Sequence, residues 1–141
     1  MKIRTKEILL ILVFVIALPV CASSWKQIDE KQYVDIDSIE LYEDKYASNN
    51  GIKYSFWIKS LNNKSKAFLD DEKYYNKKIW YKMVRMLVDC KNKTLAIKAF
   101  AIYDLKGQVL DGYEVPEYEI QWTSIIPDSV GENYYYGVCL P

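Results

Sequence analysis

Two long strand-like segments, joined by a very short turn, constrain the fold of this chain more than any other feature. Trp80–Cys90 and Thr94–Asp104 flank the triplet Lys-Asn-Lys. So short a connection allows only antiparallel pairing of the two strands. A second turn, at Gly107, leads into a further strand over 108–115. The sequence therefore predicts an antiparallel meander, in which neighbours along the chain are neighbours in the sheet.

The segment over 52–59 alternates between apolar and polar residues, which is typical of a strand with one buried face. Its apolar face carries Ile52, Tyr54, Phe56 and Ile58. Its polar face carries Lys53, Ser55, Trp57 and Lys59. Asn49-Asn50-Gly51, just before the strand, is typical of a hairpin turn. Shorter strands near 25–28 and 33–35 bring the expected sheet to about five or six strands.

The chain ends in a predicted helix. Ser129 and Glu132 have the spacing of a capping box, and Val130, Tyr134 and Val138 recur on one helical stripe. The small side chains of Ala99 and Ala101 predict that another element, such as this helix, packs closely on their face of the sheet. The expected fold class is thus α+β, a single antiparallel meander sheet with a C-terminal helix packed on it. The stretch from Leu61 to Ile79 keeps no clear period and is predicted to be a long loop.

The N-terminus is typical of a secretory signal peptide. Lys2, Arg4 and Lys6 precede an apolar run from Ile8 to Val20, which is shorter than the roughly 20 residues that a membrane span needs. We expect residues 1–22 to be removed and residues 23–141 to form a single domain without a transmembrane span.

Two processing routes remain open at this N-terminus. Cleavage between Ala22 and Ser23 places small or moderate residues at the positions that signal peptidase reads. Lipidation of Cys21 is the alternative, and it is disfavoured because the residue directly before Cys21 is the bulky Val20. The first route gives a free domain, and the second anchors the domain to a membrane.

Removal of the leader leaves two cysteines, Cys90 and Cys139. An even pair in an exported chain predicts a disulfide, which would fasten the C-terminal helix to the end of a strand. Two separate buried thiols are the alternative.

Composition excludes several function classes. The chain has no histidine, which removes Ser-His-Asp and Cys-His catalysis and every zinc site that contains histidine. Its formal net charge is 0, so it lacks the clustered positive charge of nucleic-acid-binding proteins. We expect no cofactor, no metal and no catalytic residues. Hydrolysis by a carboxylate pair stays as a minor alternative, because such a pair is defined only in space.

An aromatic and basic stretch around Tyr74–Lys82 is the best candidate for partner contact, since tyrosine and tryptophan dominate interface hot spots. The candidate contact residues are Trp57, Tyr74, Tyr75, Trp80 and Tyr81. Packing of these aromatic side chains on the sheet is the alternative interpretation.

A series of landmarks resembles the surface-adhesin protein E family of bacterial exported proteins. They are Trp25, Tyr33–Asp35, Ser38, Ile39, Trp57, Asp89–Lys91, Tyr103–Val109, Trp122, Ile125–Glu132 and Cys139. The resemblance implies a small antiparallel sheet and a C-terminal helix closed by a disulfide. It also implies a place at the cell surface or in the periplasm, and binding to host extracellular-matrix proteins.

Together these features predict a non-enzymatic exported protein that binds a protein partner at the cell envelope, at the outer surface or in the medium. A periplasmic accessory or structural subunit of an envelope complex is the main alternative. A homodimer is an additional alternative for its assembly.

Overall fold

The computed structural model describes residues 23–46, 51–61 and 79–140. These residues contain seven strands and one α-helix, in the order β1 (Trp25–Asp29), β2 (Gln32–Leu41), β3 (Lys53–Leu61), β4 (Ile79–Asp89), β5 (Thr94–Asp104), β6 (Val109–Glu114), β7 (Thr123–Ser124) and α1 (Val130–Cys139). A short 3₁₀ helix spans Glu117–Glu119, between β6 and β7. The predicted loop over Leu61–Ile79 and the predicted turn at Asn49-Asn50 fall largely outside the described residues.

The sheet is the predicted antiparallel meander. Its strands lie in the order β1-β2-β3-β4-β5-β6, and every pairing is antiparallel. The two-residue β7 pairs with β5 beyond the end of β6, and the sequence did not predict it because two residues show no periodicity. The described residues form seven strands and one short α-helix, so their fold is dominated by the sheet.

The main core lies between α1 and one face of the sheet. Tyr134, Tyr135 and Val138 of the helix pack with buried side chains of β2, β3 and β4, which are Val34, Phe56, Ile58 and Val88. The helical stripe expected from the sequence is therefore the stripe that is buried. Below, this side of the sheet is called the helix face, and the opposite side is called the free face.

Ser129 caps the helix as predicted, since the backbone N–H of Glu132 donates to its Oγ at 3.3 Å. The reciprocal half of the capping box is absent at this position. The Glu132 carboxylate instead accepts a hydrogen bond from the backbone N–H of Asp128 at 2.8 Å. Asp128 has a positive φ of 58°, and this turn carries its N–H toward the first turn of the helix.

The expected docking of the helix on Ala99 and Ala101 is wrong. The register pairs Ala99 with Arg85 and Ala101 with Met83, and these residues lie opposite Trp57 and Lys59 of β3. Directly opposed residues point to the same side of a sheet, so both alanines lie on the free face. The helix covers the other face because the larger apolar side chains are there.

The expected one-sided burial of β3 is also wrong. Lys53 and Ser55 of its polar face are 5% and 1% exposed. The Ser55 hydroxyl donates to Glu40 Oε1 at 3.0 Å, and Lys53 lies among carboxylates. Burial of these polar groups is tolerated because each has polar partners.

Cys90 and Cys139 form the predicted disulfide, with their Cα atoms 5.6 Å apart. The bond joins the turn after β4 to the last residue of α1. The Tyr135 hydroxyl adds a hydrogen bond to the carbonyl of Cys90 at 3.4 Å. Within the described ranges, the structure contains no helix with the length and hydrophobicity of a membrane span.

Candidate partner-binding surface

Aromatic and basic side chains from four strands meet on the free face. Lys59 Nζ lies 5.0 Å from the ring centre of Trp25 and 4.8 Å from that of Tyr81. The ring of Tyr81 stacks on that of Tyr103, with centres 4.5 Å apart and planes 17° apart. Trp80 meets Tyr81 edge to face, with ring centres 5.1 Å apart. These five residues are called the aromatic row below.

Strand register explains how the aromatic row forms. Tyr81 lies between Leu61 on β3 and Tyr103 on β5. A register shift between Ile79 and Tyr81 makes Trp80 an extra residue relative to β5. Such a bulge changes the direction of a side chain, which is how adjacent Trp80 and Tyr81 come into ring contact.

Trp57 lies farther along the same face, opposite Asp35 of β2 and Arg85 of β4. Beside it, β2 has a register shift between Asp35 and Glu40. Ser38, inside this shift, accepts the backbone N–H of Trp57 at 2.9 Å and donates to the Asp35 carbonyl at 2.7 Å. The serine hydroxyl thus replaces the backbone carbonyl that a regular strand would offer to Trp57.

Two oppositely charged side chains near Trp57 pair with each other. Arg85 forms an ion pair with Glu40, and its Nη2 also donates to Ser55 Oγ at 3.1 Å. The Arg85 side chain stays 30% exposed and lies beside Trp57. Arginine and tryptophan are both enriched at protein interfaces.

Three predicted contact residues lie in this region. Trp80 and Tyr81 belong to the aromatic row, and Trp57 shares its sheet face. Tyr74 and Tyr75 lie outside the described residues. Trp25, Lys59 and Tyr103 were not predicted as contact residues, because only the cross-strand register brings these distant positions together.

The packing interpretation holds for part of the row. The rings of Tyr81 and Tyr103 cover each other, and burial raises the pKa of the Tyr81 hydroxyl, with a smaller effect from Tyr103. Trp80 in contrast is 49% exposed. The row therefore has packed rings at its centre and an accessible tryptophan at its end.

A cleft of about 430 Å³, lined by charged and aromatic side chains, lies at the other end of the free face. Its lining includes Asp44, Lys53, Asp89, Glu117 and Trp122. The chain after β6 folds over β3 and β5 here, so that Lys53 Nζ lies 5.6 Å from the ring centre of Trp122. This site is called the acidic cleft below.

Asp89 is a hydrogen-bonding centre of the cleft floor. Its carboxylate accepts the backbone N–H groups of Lys91 and Asn92 at 3.0 and 2.9 Å, and the Asn92 side-chain amide at 2.8 Å. Burial alone would raise the pKa of Asp89. The Asn92 hydrogen bonds and the Lys53 charge outweigh burial and hold this pKa below its usual value.

A second buried lysine fixes the segment that walls the cleft. Lys98 Nζ lies 3.0 Å from Glu117 Oε1, 3.2 Å from Glu114 Oε1 and 2.9 Å from the Val115 carbonyl. Burial would lower the pKa of Lys98, but the two glutamates raise it overall. The Tyr42 hydroxyl donates to Glu117, and burial together with this carboxylate raises the tyrosine pKa.

The pKa values of Asp89 and Glu117 differ from what the acid of a glycosidase needs. A glycosidase needs one carboxylic acid with a raised pKa. Burial alone would raise the pKa of Glu117, but hydrogen bonds from Tyr42 and Lys98 lower this pKa overall. The pKa of Asp89 is lowered as well. Across the described ranges, no three His, Cys, Asp or Glu side chains are grouped in a way that could hold a metal ion.

Comparison with known proteins identifies the family. The family model described as surface-adhesin protein E matches residues 25–140. No curated protein matches the chain significantly.

Two solved structures of Haemophilus influenzae protein E share the fold. One is 17% identical with a TM-score of 0.57, covering 84% of this chain and 86% of that chain. The other, crystal form II, is 16% identical with a TM-score of 0.52, covering 78% of this chain and 80% of that chain. The family match over residues 25–140 confirms the resemblance seen in the sequence, and the chain belongs to the surface-adhesin protein E family.

Proposed function

We propose that this chain is an exported, non-enzymatic bacterial adhesin that binds a host protein, such as an extracellular-matrix protein, through the free face of its sheet. The observation that carries the proposal is the aromatic row, which the strand register assembles on the face opposite the helix. Membership of the surface-adhesin family supports a partner outside the cell.

The binding surface consists of the exposed end of the row and the neighbouring Trp57. Tryptophan and tyrosine provide large contact areas with little loss of side-chain entropy, and Arg85 adds a charged group beside Trp57. Tyr74 and Tyr75, which the sequence predicts as contact residues, stay a prediction because they lie outside the described residues.

Export proceeds by removal of residues 1–22, with cleavage between Ala22 and Ser23. The positive start and the short apolar run support this step, and the family match begins at Trp25, directly after the proposed mature N-terminus. The mature domain carries a disulfide, which oxidising compartments outside the cytoplasm maintain. Retention of a lipidated Cys21 would anchor the same domain to the membrane.

Fractionation of the producing bacterium, followed by mass analysis of the mature protein, tests export and processing. We expect a mass that begins at Ser23, and protein either in the medium or labelled by a membrane-impermeant reagent on intact cells. Protein found only in the periplasm, absent from the medium and shielded from that reagent, would contradict the adhesin and favour the envelope-subunit alternative. A mass that includes an acylated Cys21 would replace the free form with the anchored one.

A further inference from the structure

We propose that the acidic cleft receives an arginine side chain of the protein partner. This inference rests on the proposed function, because it specifies the chemistry of one contact that the bound protein makes. It concerns a second region of the free face, distinct from the aromatic row.

Aromatic side chains form the rim of the cleft. Tyr46 and Tyr118 are 69% and 72% exposed, and Trp122 lies deeper, beside Lys53. A planar guanidinium stacks on such rings, and it is more weakly hydrated than an ammonium group. The volume of about 430 Å³ accommodates the side chain and some of its flanking backbone.

The charge of the cleft favours a cation. Three carboxylates line it, Asp44, Asp89 and Glu117, and two lysines pair with them: Lys53 with both aspartates, and Lys98 with Glu117. Neutral donors, rather than further cations, satisfy much of the Asp89 carboxylate. The three carboxylates exceed the two lysines by one negative charge, so the cleft attracts a cation and disfavours an anionic ligand.

The two regions can serve one partner. Lys53 in the cleft and Lys59 in the aromatic row lie on the same face of β3. Six residues of a strand span about 20 Å, which is within the width of an ordinary protein interface. A partner that covers Trp57 thus reaches both the row and the cleft.

A peptide titration tests the proposal directly. The probe is the peptide acetyl-Gly-Gly-Arg-Gly-Gly-amide, added to the disulfide-bonded mature protein and followed by amide chemical shifts. The control probe contains citrulline in place of arginine, which has nearly the same shape but no charge. We expect saturable shifts at Thr94, Tyr118 and Trp122 with the arginine peptide, weakened by salt, and at least tenfold weaker binding of the citrulline peptide.

Two variants of the cleft and one control complete the test. Asp44→Asn and Tyr118→Ala each remove one recognition element, and we expect about tenfold weaker binding in each case. Tyr118 is exposed, so its variant retains the fold even if Asp44→Asn does not. Glu30→Gln removes one negative charge at the β1–β2 turn, away from the cleft, and we expect unchanged binding.

Equal binding of both peptides, binding of neither, or shifts that map outside the cleft would overturn the proposal. These results leave the binding of a matrix protein to the aromatic row unaffected, since that binding is measured separately. Conversely, saturable arginine binding combined with the absence of any protein partner would contradict the proposed function and preserve the cation specificity of the cleft.

Discussion

Lys53 of β3 and Asp89 of β4 are directly opposed in the sheet and are both buried, with their charged groups 3.8 Å apart. Only 5% of Lys53 and 2% of Asp89 is exposed. Asp89 immediately precedes the disulfide-bonded Cys90, so the buried pair and the disulfide reinforce the same end of the sheet. This end also forms the floor of the acidic cleft.

Replacement of Asp89 by alanine is expected to lower the free energy of unfolding by about 3 kcal/mol. The substitution leaves the buried Lys53 charge without one of its carboxylates and removes the acceptor for Lys91 and Asn92. Urea denaturation measures the loss. The exposed Glu30→Ala variant is the control, with an expected change within about 0.5 kcal/mol. If Asp89→Ala loses no more stability than Glu30→Ala, the Lys53–Asp89 pair contributes little to the free energy of unfolding.

The stability of the protein is expected to fall below about pH 4. The pKa values of Asp89 and Glu117 are lowered in the folded protein, so these groups take up protons more readily in the unfolded chain. Their contribution is complete above the ordinary carboxyl pKa values of about 4 and is lost as the pH falls through the lower folded values. Denaturation at pH 6 and pH 3 measures the difference, which should shrink in Asp89→Asn. If Asp89→Asn loses as much stability between pH 6 and pH 3 as the wild type does, groups other than Asp89 cause the acid sensitivity.

Ser38→Ala is expected to destabilise the fold by about 1–2 kcal/mol. The variant leaves the backbone N–H of Trp57 without the hydroxyl that replaces a strand carbonyl. Thermal unfolding provides the comparison, with Ser124→Ala on the short, exposed β7 as the matched control. Because Trp57 belongs to the proposed surface, Ser38→Ala should also weaken partner binding. Wild-type stability of the variant would mean that water replaces the hydroxyl at no cost.

Replacing both Cys90 and Cys139 by serine is expected to cost about 4 kcal/mol of stability. The cysteines are 49 residues apart in sequence, and cross-linking a loop of this size restricts the unfolded chain strongly. Guanidinium denaturation of the oxidised wild type and the double variant measures the effect. Equal midpoints for the two proteins would contradict a stabilising role for the bond. Free alkylation of both thiols in the exported protein would show that the bond does not form.

The sheet and the helix were largely predictable because they depend on local patterns. Alternation identified β3, and a tight turn fixed the pairing of β4 with β5. Ser129 likewise marked the start of α1. Two cysteines in a chain with a signal sequence were sufficient to predict the disulfide.

The site was less predictable because it depends on register and on contacts between distant segments. The aromatic row combines Trp25 with Tyr103, and the sequence shows no signal that links them. Lys98 of β5 is buried and pairs with Glu117, which lies in the segment after β6. The sequence pattern does not show that this later segment packs against β5. The choice of helix face was wrong because the small size of Ala99 and Ala101 was taken to indicate a packed helix.

The most direct measurement is the dissociation constant of the exported mature protein for extracellular-matrix proteins immobilised as a panel. We expect saturable binding to at least one of them, weakened about thirtyfold by Trp80→Ala and by Trp57→Ala, which is the size of a typical hot-spot loss. Tyr136→Ala, at a half-exposed aromatic residue on the helix, should bind like the wild type. Binding that is unchanged in both tryptophan variants and lost in Tyr136→Ala would contradict the free face as the binding surface, and no binding to any panel member would contradict the adhesin itself.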